Sequence, residues 1–350
     1  MFRQSQVVKA LFAFCTVSAL LAAAGCSSSS GSSTTAQPTD RVTYLTAFSA
    51  AGRDAYAWVA QDKGYFQQQH LNVQIELGKA TGENLKALAS GQAQFASLDL
   101  TGAMLASSTK DTGGVTAYKD WRAILAVHQQ SLVSIMALEG SGINSPKDLQ
   151  GKKIAAAANS VNQLLFPGYA GFAGIDTSKI QWVATQPAQL GPTLASGKVD
   201  ALSTFLIGQP TIEKATMAAK GKKVVVFPYS HYLPDLFGNA VITTSALTTG
   251  KPDLVRRFRT AILEGLVYTI QHPEEAATIL HQKQPATDIA AATQEIKLMT
   301  PSVTAQGQSQ IGVITQDRMT KAIASLRDAG LVDAALTPQD VVDFAVMPTN

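Results

Sequence analysis

The chain has 350 residues, of which 46% are hydrophobic and 15% are charged. This composition supplies enough apolar side chain for a large core, so a disordered protein is excluded, and the length predicts two lobes or domains. The formal net charge of +3 leaves no basic excess of the kind that nucleic-acid-binding proteins carry, so no nucleic-acid partner is expected.

Residues 1–25 have the pattern of a secretory signal peptide. Arg3 and Lys9 form a short basic region, and the apolar run over residues 10–22 is too short to span a bilayer. Small residues then precede Cys26, which resembles the bacterial lipobox, although Ala23 stands where that pattern prefers leucine. We expect cleavage before Cys26 and lipidation of its side chain; an ordinary secretory signal with a chance cysteine is the alternative.

A flexible linker follows over residues 26–41, because this segment is rich in serine and threonine and has no apolar anchor. No later stretch reaches the ~18 consecutive apolar residues of a membrane span. The sequence therefore predicts a water-soluble, extracytoplasmic body that is anchored to the cell membrane through lipidated Cys26.

Two similar series of strands and helices make up the first part of this body. Apolar patterns predict strands over residues 42–45, 73–77 and 95–98 and helices over 55–66 and 85–90. The same order returns with strands over 153–157, 181–184 and 200–204 and helices over 163–172 and 190–196. Such βαβαβ series are typical of mostly parallel sheets that helices cover.

An internal repeat links the two series. Residues 88–91 and 194–197 both read Leu-Ala-Ser-Gly, and each segment leads directly into a predicted strand. The glycine suits the left-handed position that ends a helix. The repeat favours two related halves, although joints of helix, glycine and strand are common in unrelated proteins.

Further elements complete a two-lobe α/β architecture. Strands over 132–138 and 240–243 lie at the joins, and prolines open later helices over 252–268, 273–280 and from residue 338. We predict one lobe from residues 42–135 together with 240–350, a second lobe from residues 136–239, and two crossover strands between them.

No catalytic or metal-binding motif is present. The two cysteines, Cys15 and Cys26, both lie near the N-terminus, so cysteine nucleophiles, disulfide frameworks and cysteine metal sites are excluded from the body. The five histidines lack metal-ligand spacing, and neither G-x-S-x-G nor a P-loop occurs. We predict no enzyme activity, no catalytic residue, no metal and no cofactor.

Several segments, taken in order, resemble solute-binding proteins of ABC importers, in the NMT1/THI5-like (SsuA-like) family that includes binders of nitrate, sulfonates and thiamine-pyrimidine precursors. The matching segments are residues 57–66, 71–73, 88–91 with Phe95, 145–154, 194–201, 251–255 and 272–277. The resemblance implies a type II periplasmic-binding-protein fold, in which two α/β lobes are joined by two crossover strands and enclose a ligand cleft. A fungal pyrimidine synthase shares this fold but relies on a cysteine-rich iron motif, which this body lacks.

The resemblance also implies the partners: a small-molecule ligand, an ABC permease with its ATPase, and the membrane through the lipid anchor. We expect the protein to be a monomer. Its function would be capture of a nutrient by closure of the two lobes. A surface structural lipoprotein without a transport role is the alternative from another class.

Ligands of open α/β sheets bind beyond the carboxyl ends of the strands, and this rule selects the candidate ligand-binding residues. These residues are Phe48, Ser49, Arg53, Asp54, Tyr56, Glu83, Asn84, Asp99, Thr101, Asn159, Ser160, Asn162, Thr204, Phe205, Tyr229 and Asn239.

Several candidates have two interpretations. Arg53 is either a clamp for an oxyanion or one half of an exposed pair with Asp54. Asn159 and Ser160 either cap a helix or leave its first amides free for an acceptor group. Phe48 lies in a loop of small residues, where an exposed ring suits stacking on a flat ligand.

The mixture of aromatic rings, carboxylates and amides favours a heteroaromatic ligand of the thiamine-pyrimidine-precursor type. Asp99, Glu83 and asparagine side chains would then bind ring nitrogens. A sulfonate such as taurine, or a nitrate-type anion, is the alternative, and Arg53 would then be its main contact.

Overall fold

Apolar runs and helical patterns alternate along the chain and build an α/β protein. The computed structural model describes residues 39–108, 118–158, 160–304 and 311–348, all within the unit Pro38–Asn350. The predicted signal peptide, Cys26 and most of the predicted linker lie outside the described residues. The first strand begins at Asp40, two residues before the predicted start of the body, where the Asp40 N–H donates to the His70 carbonyl at 3.0 Å and Arg257 binds the Asp40 carboxylate at 2.6 Å.

Ten strands occur in the described residues. They are β1 (Asp40–Leu45), β2 (Leu71–Glu76), β3 (Phe95–Asp99), β4 (Arg122–Ala126), β5 (Val133–Leu138), β6 (Lys153–Ala156), β7 (Gln181–Ala184), β8 (Ala201–Phe205), β9 (Val224–Pro228) and β10 (Asn239–Thr243). The strands form two five-stranded sheets with the orders β2-β1-β3-β10-β4 and β7-β6-β8-β5-β9. The predicted fold class, two α/β lobes of the type II periplasmic-binding-protein kind, is confirmed.

The two sheets have matching topologies. In the first, β1 pairs in parallel with β2 and β3, while β10 runs antiparallel to β3 and β4. In the second, β6 pairs in parallel with β7 and β8, while β5 runs antiparallel to β8 and β9. Each sheet therefore has four strands that run in one direction and one reversed strand, β10 or β5, in the fourth position, in agreement with the predicted internal repeat.

Helices cover the sheets. Those of the described residues are α1 (Ala55–Asp62), α2 (Tyr65–Gln68), α3 (Thr81–Ala89), α4 (Leu100–Ser107), α5 (Val161–Leu164), α6 (Phe166–Ala173), α7 (Leu190–Ala195), α8 (Gln209–Lys220), α9 (Ser245–Gly250), α10 (Pro252–Gln271), α11 (Pro273–Lys283), α12 (Ile289–Val303), α13 (Gln316–Asp328) and α14 (Pro338–Val341). Prolines open α10, α11 and α14 as predicted, since the first helical residue needs no hydrogen-bond donor.

The repeated Leu-Ala-Ser-Gly segments adopt the same conformation in both lobes. Gly91 and Gly197 have φ angles of 74° and 76°, and each donates its N–H to the leucine three residues earlier at 3.0 Å. Each glycine ends a helix and leads towards the central strand of its sheet, β3 or β8. The sequence prediction for these joints is confirmed.

Two predicted helices are interrupted. The helix expected over 55–66 ends at Asp62 and restarts after Gly64, whose φ of 75° is left-handed. The helix expected over 163–172 is divided into α5 and α6 at Leu165. Pro167 lies in the first turn of α6, where its missing N–H leaves no intrahelical hydrogen bond unmade.

Two chain segments connect the sheets, residues 127–132 between β4 and β5 and residues 229–238 between β9 and β10. Backbone hydrogen bonds join them: Val127 and His128 both donate to the Asn239 carbonyl, at 2.8 and 2.9 Å, and Ser131 donates to the Leu236 carbonyl at 2.8 Å. Because the two segments bind each other, they form one ribbon between the lobes.

Gly265 sets the spacing between α10 and α1. A methyl group placed there would lie 2.3 Å from the Tyr56 carbonyl oxygen and 2.9 Å from Ala60 Cβ. We expect Gly265→Ala to lower the free energy of unfolding by about 1–3 kcal/mol, because overpacking outweighs the better helix propensity of alanine. Chemical denaturation measures this change.

The control is Gly171→Ala in α6, where no atom lies within 4 Å of the added methyl group. This variant should be neutral or more stable by up to about 1 kcal/mol, the usual advantage of alanine in a helix. Equal effects of the two substitutions would show that the contact with α1 does not determine the residue at 265.

Candidate functional site

Asp99 and Asn239 form a facing pair at the carboxyl end of β3. Asp99 is the last residue of β3, Asn239 is the first residue of β10, and the antiparallel register places them directly opposite each other. Each is 5% exposed. The Gly102 N–H donates to Asp99 Oδ1 at 2.7 Å, but Asp99 Oδ2 and Asn239 Nδ2 are buried without a hydrogen-bond partner. Because an unmade buried hydrogen bond is unfavourable, this pair has the properties of a ligand-binding group.

The second lobe contributes Asn162 in α5. Its side chain is buried, and Oδ1 has no hydrogen-bond partner. The backbone carbonyl of Asn162 accepts hydrogen bonds from Ser203 Oγ at 3.0 Å and from the Tyr229 hydroxyl at 3.3 Å. Since Ser203 lies in the central strand β8, the sheet holds Asn162 in a fixed position.

The lobes meet next to these residues. A methyl group placed on Gly102 in α4 would lie 3.4 Å from Asp99 Oδ1, 3.4 Å from Thr81 Oγ1 and 3.5 Å from Val161 Cβ. Val161 precedes Asn162 in the second lobe. The unpartnered polar atoms of the two lobes therefore approach the same interlobe region, which we call the polar cleft (Asp99, Asn162 and Asn239).

Charged residues lie beside the polar cleft. Arg53 is 8% exposed, and its guanidinium carbon lies 5.6 Å from the centre of the Phe205 ring across the lobe interface. Arg53 Nε lies 3.4 Å from Asp54 Oδ2, and Asp54 Oδ1 accepts the Ala47 N–H at 3.0 Å. Arg53 is thus half of a buried ion pair, which contradicts the interpretation of an exposed pair.

Burial changes the pKa values of the acidic groups. Loss of solvation raises the pKa of Asp99 to about 6, although the Gly102 N–H and Arg53 oppose this rise. Burial also raises the pKa of Asp54, against the nearby guanidinium, and the pKa of Glu295. Glu295 reaches this region from α12 and accepts the Gly52 N–H at 2.6 Å.

His128 is a neutral part of the connecting ribbon. It is fully buried, and burial lowers its pKa to about 3. Its Nδ1 accepts the Asn239 N–H at 3.2 Å, so the ring proton lies on Nε2, which faces Met299 Sδ at 3.5 Å. The ring therefore positions Asn239 without adding charge.

Three predicted site residues are exposed, unlike the buried residues of the polar cleft. Glu83 is exposed and pairs with Lys86 at 2.8 Å, while Phe48 is 41% exposed and Ser49 lies beside it with a φ of 54°. Asn159 lies outside the described residues.

Other predicted site residues have internal partners. The Tyr56 hydroxyl lies 2.8 Å from that of Tyr44, Asn84 Nδ2 donates to the Thr46 and Ser97 carbonyls, and Thr101 Oγ1 donates to the Phe237 carbonyl. These contacts are explained by folding alone, so we do not include the three residues in the polar cleft.

The remaining predicted residues lie in the second lobe. Ser160 donates its hydroxyl to the Ala157 carbonyl at 2.7 Å, and Thr204 is 8% exposed. The Tyr229 ring stacks on Tyr169 with 4.1 Å between ring centres. Helix α5 is one turn of four residues, so it lacks the aligned peptides that would make its first amides a strong anion site.

Three residues of this region were not predicted from the sequence. Glu295 is 243 positions from its partner Gly52, and no sequence signal connects the two. His128 directly follows a strand, and Ser203 lies within one. A search for polar residues in otherwise apolar strands would have found Ser203.

The described ranges contain no group of three or more histidine, cysteine or acidic side chains that could hold a metal ion. Across the same residues, no helix is both long and apolar enough to cross a membrane.

A family model described as NMT1/THI5 like matches residues 55–276. The formylaminopyrimidine-binding protein of Halalkalibacterium halodurans is 24% identical over 65% of this chain and 66% of that protein, just under two thirds of its length. The riboflavin-binding protein RibY of Chloroflexus aurantiacus is 23% identical over 89% of this chain and 88% of that protein. The resemblance found in the sequence is confirmed.

Among solved structures, the periplasmic aliphatic sulphonate binding protein SsuA from Escherichia coli matches with a TM-score of 0.64. The match is 15% identical and covers 87% of this chain and 92% of that chain. At this level of identity the likeness establishes the fold, with its two lobes.

Proposed function

Because this chain belongs to the NMT1/THI5-like family, we propose that it is the solute-binding component of an ABC importer. A small nutrient would bind between the lobes, and a permease with its ATPase would recognise the closed form. The polar cleft carries this proposal, because both lobes contribute buried polar atoms that lack partners within the protein. A ligand between the lobes would supply the missing hydrogen bonds and so stabilise closure.

The ligand we propose is a heteroaromatic compound of the thiamine-pyrimidine-precursor type. Two of the unpartnered atoms, Asp99 Oδ2 and Asn162 Oδ1, are oxygens, whereas Asn239 Nδ2 is a donor. A ligand with N–H groups and one acceptor can pair with all three atoms. Two named relatives support this choice, since one is a formylaminopyrimidine-binding protein and the other a riboflavin-binding protein.

An oxyanion such as taurine's sulfonate or nitrate is the second candidate. Arg53 favours it, because a guanidinium beside the interface can bind an oxyanion in a bidentate manner. Nitrate and the sulfonate group itself offer acceptors only, so the oxyanion group leaves both unpartnered oxygens without donors, although the ammonium group of taurine could donate to one of them. For this reason we rank them second.

Lobe closure would use the connecting ribbon as its hinge. We propose that residues 42–135 with 240–350 move as one lobe and residues 136–239 as the other. We further propose that the protein acts as an extracytoplasmic monomer, held at the membrane by a lipid on Cys26, and has no catalytic role. A surface structural lipoprotein without a transport role is the alternative.

The test is to identify the ligand and to measure closure. Ligand released from purified protein is identified by mass spectrometry, and 4-amino-5-hydroxymethyl-2-methylpyrimidine, riboflavin, taurine and nitrate are then tested by calorimetry. We expect one heteroaromatic compound to bind with a Kd of about 1 μM or lower, roughly −8 kcal/mol, and to reduce the radius of gyration in small-angle scattering.

Two variants separate the candidate ligands. Loss of binding in Arg53→Ala with retention in Phe48→Ala would favour the oxyanion over the flat ring. An unchanged radius of gyration with every compound, and no released ligand, would favour the structural lipoprotein.

A further inference from the structure

Carboxyl groups outnumber cations in and around the polar cleft. Asp54, Asp99 and Glu295 lie there, Arg53 is the one guanidinium among the described residues whose charge acts on all three, and His128 is neutral. Arg53 forms its ion pair with Asp54, and Glu295 accepts a backbone N–H. Asp99 thus has backbone hydrogen bonds, from Gly102 to Oδ1 and from Thr101, but no direct cationic partner among the described residues.

The Asp99 carboxyl therefore lacks a positive charge to balance its own when it is ionised. An ionised carboxylate that is 5% exposed and lacks a paired cation is strongly disfavoured, as the raised pKa of Asp99 also indicates. An anionic ligand would add repulsion from Asp99, while a neutral ligand would leave the charge uncompensated. A positive ligand next to Oδ2 would remove the penalty and would gain a charge-assisted hydrogen bond.

The neighbouring atoms determine which hydrogen-bond donors and acceptors that cation needs. Asn162 Oδ1, in the second lobe, is an acceptor without a partner, so a ligand that bridges the lobes needs a second N–H to donate to it. Asn239 Nδ2 faces an acceptor atom of the ligand, and the register places this donor beside Asp99. A ring with a protonated nitrogen, an exocyclic amine and one free acceptor presents all three groups.

We propose that the cleft binds its ligand as a cation, a protonated nitrogen heterocycle with at least two N–H donors, and that Asp99 is its counter-ion. This inference rests on the proposed function and specifies the charge of the bound ligand. A ligand that is neutral in solution takes up one proton when it binds, and the ring nitrogen receives that proton.

The experiment is calorimetric titration of 4-amino-5-hydroxymethyl-2-methylpyrimidine at pH 6–8.5 in buffers of different ionisation enthalpy. Above pH 7, where Asp99 is already ionised, affinity should rise about tenfold for each unit by which pH falls, until the ring is protonated in solution. Near pH 6 the increase should level off, because Asp99 must then lose a proton to bind the cation. Heats measured in these buffers should give an uptake of about one proton, and the ultraviolet absorption of the bound pyrimidine should be that of its protonated form, which distinguishes a proton on the ring from a proton on Asp99.

Asp99→Asn should weaken binding at least 30-fold and remove the pH dependence, while thermal unfolding without ligand verifies that the variant is folded. Asp317→Asn, an exposed aspartate that pairs with Lys321 at 2.9 Å, is the matched control and should bind as the wild type does. Pyrimidine binding without proton uptake would overturn the cationic form of the ligand but leave the proposed function intact. Tighter binding of taurine or nitrate than of the pyrimidine would have the same two consequences. If no probe binds and scattering detects no closure, the proposed function fails and the inference with it.

Discussion

Replacing Phe258 with alanine should lower the free energy of unfolding by about 3–5 kcal/mol, the range for a fully buried phenylalanine. Phe258 has 0% exposure in α10 and stacks on Phe95 with 3.8 Å between ring centres. Tyr44 and Phe66 lie 5.7 and 5.8 Å away. The substitution would leave a cavity between α10 and two strands of the first sheet, and such cavities relax only partly. Chemical denaturation monitored by circular dichroism measures the change.

Phe172→Ala is the matched control, because the same atoms are removed from a side chain that is 57% exposed in α6. Its unfolding free energy should change by no more than about 0.5 kcal/mol. A loss below about 1 kcal/mol in Phe258→Ala would mean that the four rings do not form the centre of this core.

Gly102→Leu should weaken ligand binding about 100-fold while leaving the unliganded fold intact. The first side-chain atom already meets Asp99 and Thr81 of the same lobe and Val161 of the second lobe at 3.4–3.5 Å, so a leucine side chain competes with Val161 for the space between α4 and α5. If only about 1% of the variant molecules can close, the apparent Kd is the wild-type Kd divided by that fraction, which is about 100-fold higher. Calorimetry with the identified ligand measures affinity, and small-angle scattering measures closure.

Gly102→Ala separates this steric effect from a change in helix propensity. Its methyl group makes ordinary van der Waals contacts, so its affinity should stay within about threefold of wild type. Wild-type affinity and closure in Gly102→Leu would contradict the position of the lobe interface at α4 and α5.

In the proposed function, Asp99 would combine a structural and a binding role in one carboxyl group. Oδ1 caps the first turn of α4 through the Gly102 N–H, and this contact fixes the carboxyl plane. Oδ2 is therefore held in one direction before any ligand arrives. Such preorganisation reduces the entropy that binding must overcome.

Local sequence patterns were sufficient to predict much of the fold. The left-handed Gly91 and Gly197, the prolines that open α10 and α11, and the strands at the centre of each sheet depend on backbone preferences within a few residues. These preferences act in any chain with the same local sequence, which is why they could be predicted.

The candidate site was predictable only in part. The rule about strand ends selected Asp99, Asn162 and Asn239, but it also selected Tyr56 and Asn84, which have internal partners. The rule identifies an edge of the sheet, and it contains no information about which polar atoms the protein itself satisfies.

By itself, the sequence determined the α/β class, the family, the repeated half and the candidate edge of each sheet, because these follow from local patterns and ordered motifs. Tertiary structure alone decided which side chains lack partners and which charges lie together. Glu295 reaches Gly52 across 243 positions, and Val161 meets Gly102 only when the lobes approach. Hydrogen-bond satisfaction and desolvation depend on every neighbour in space, so contacts distant in sequence determine both.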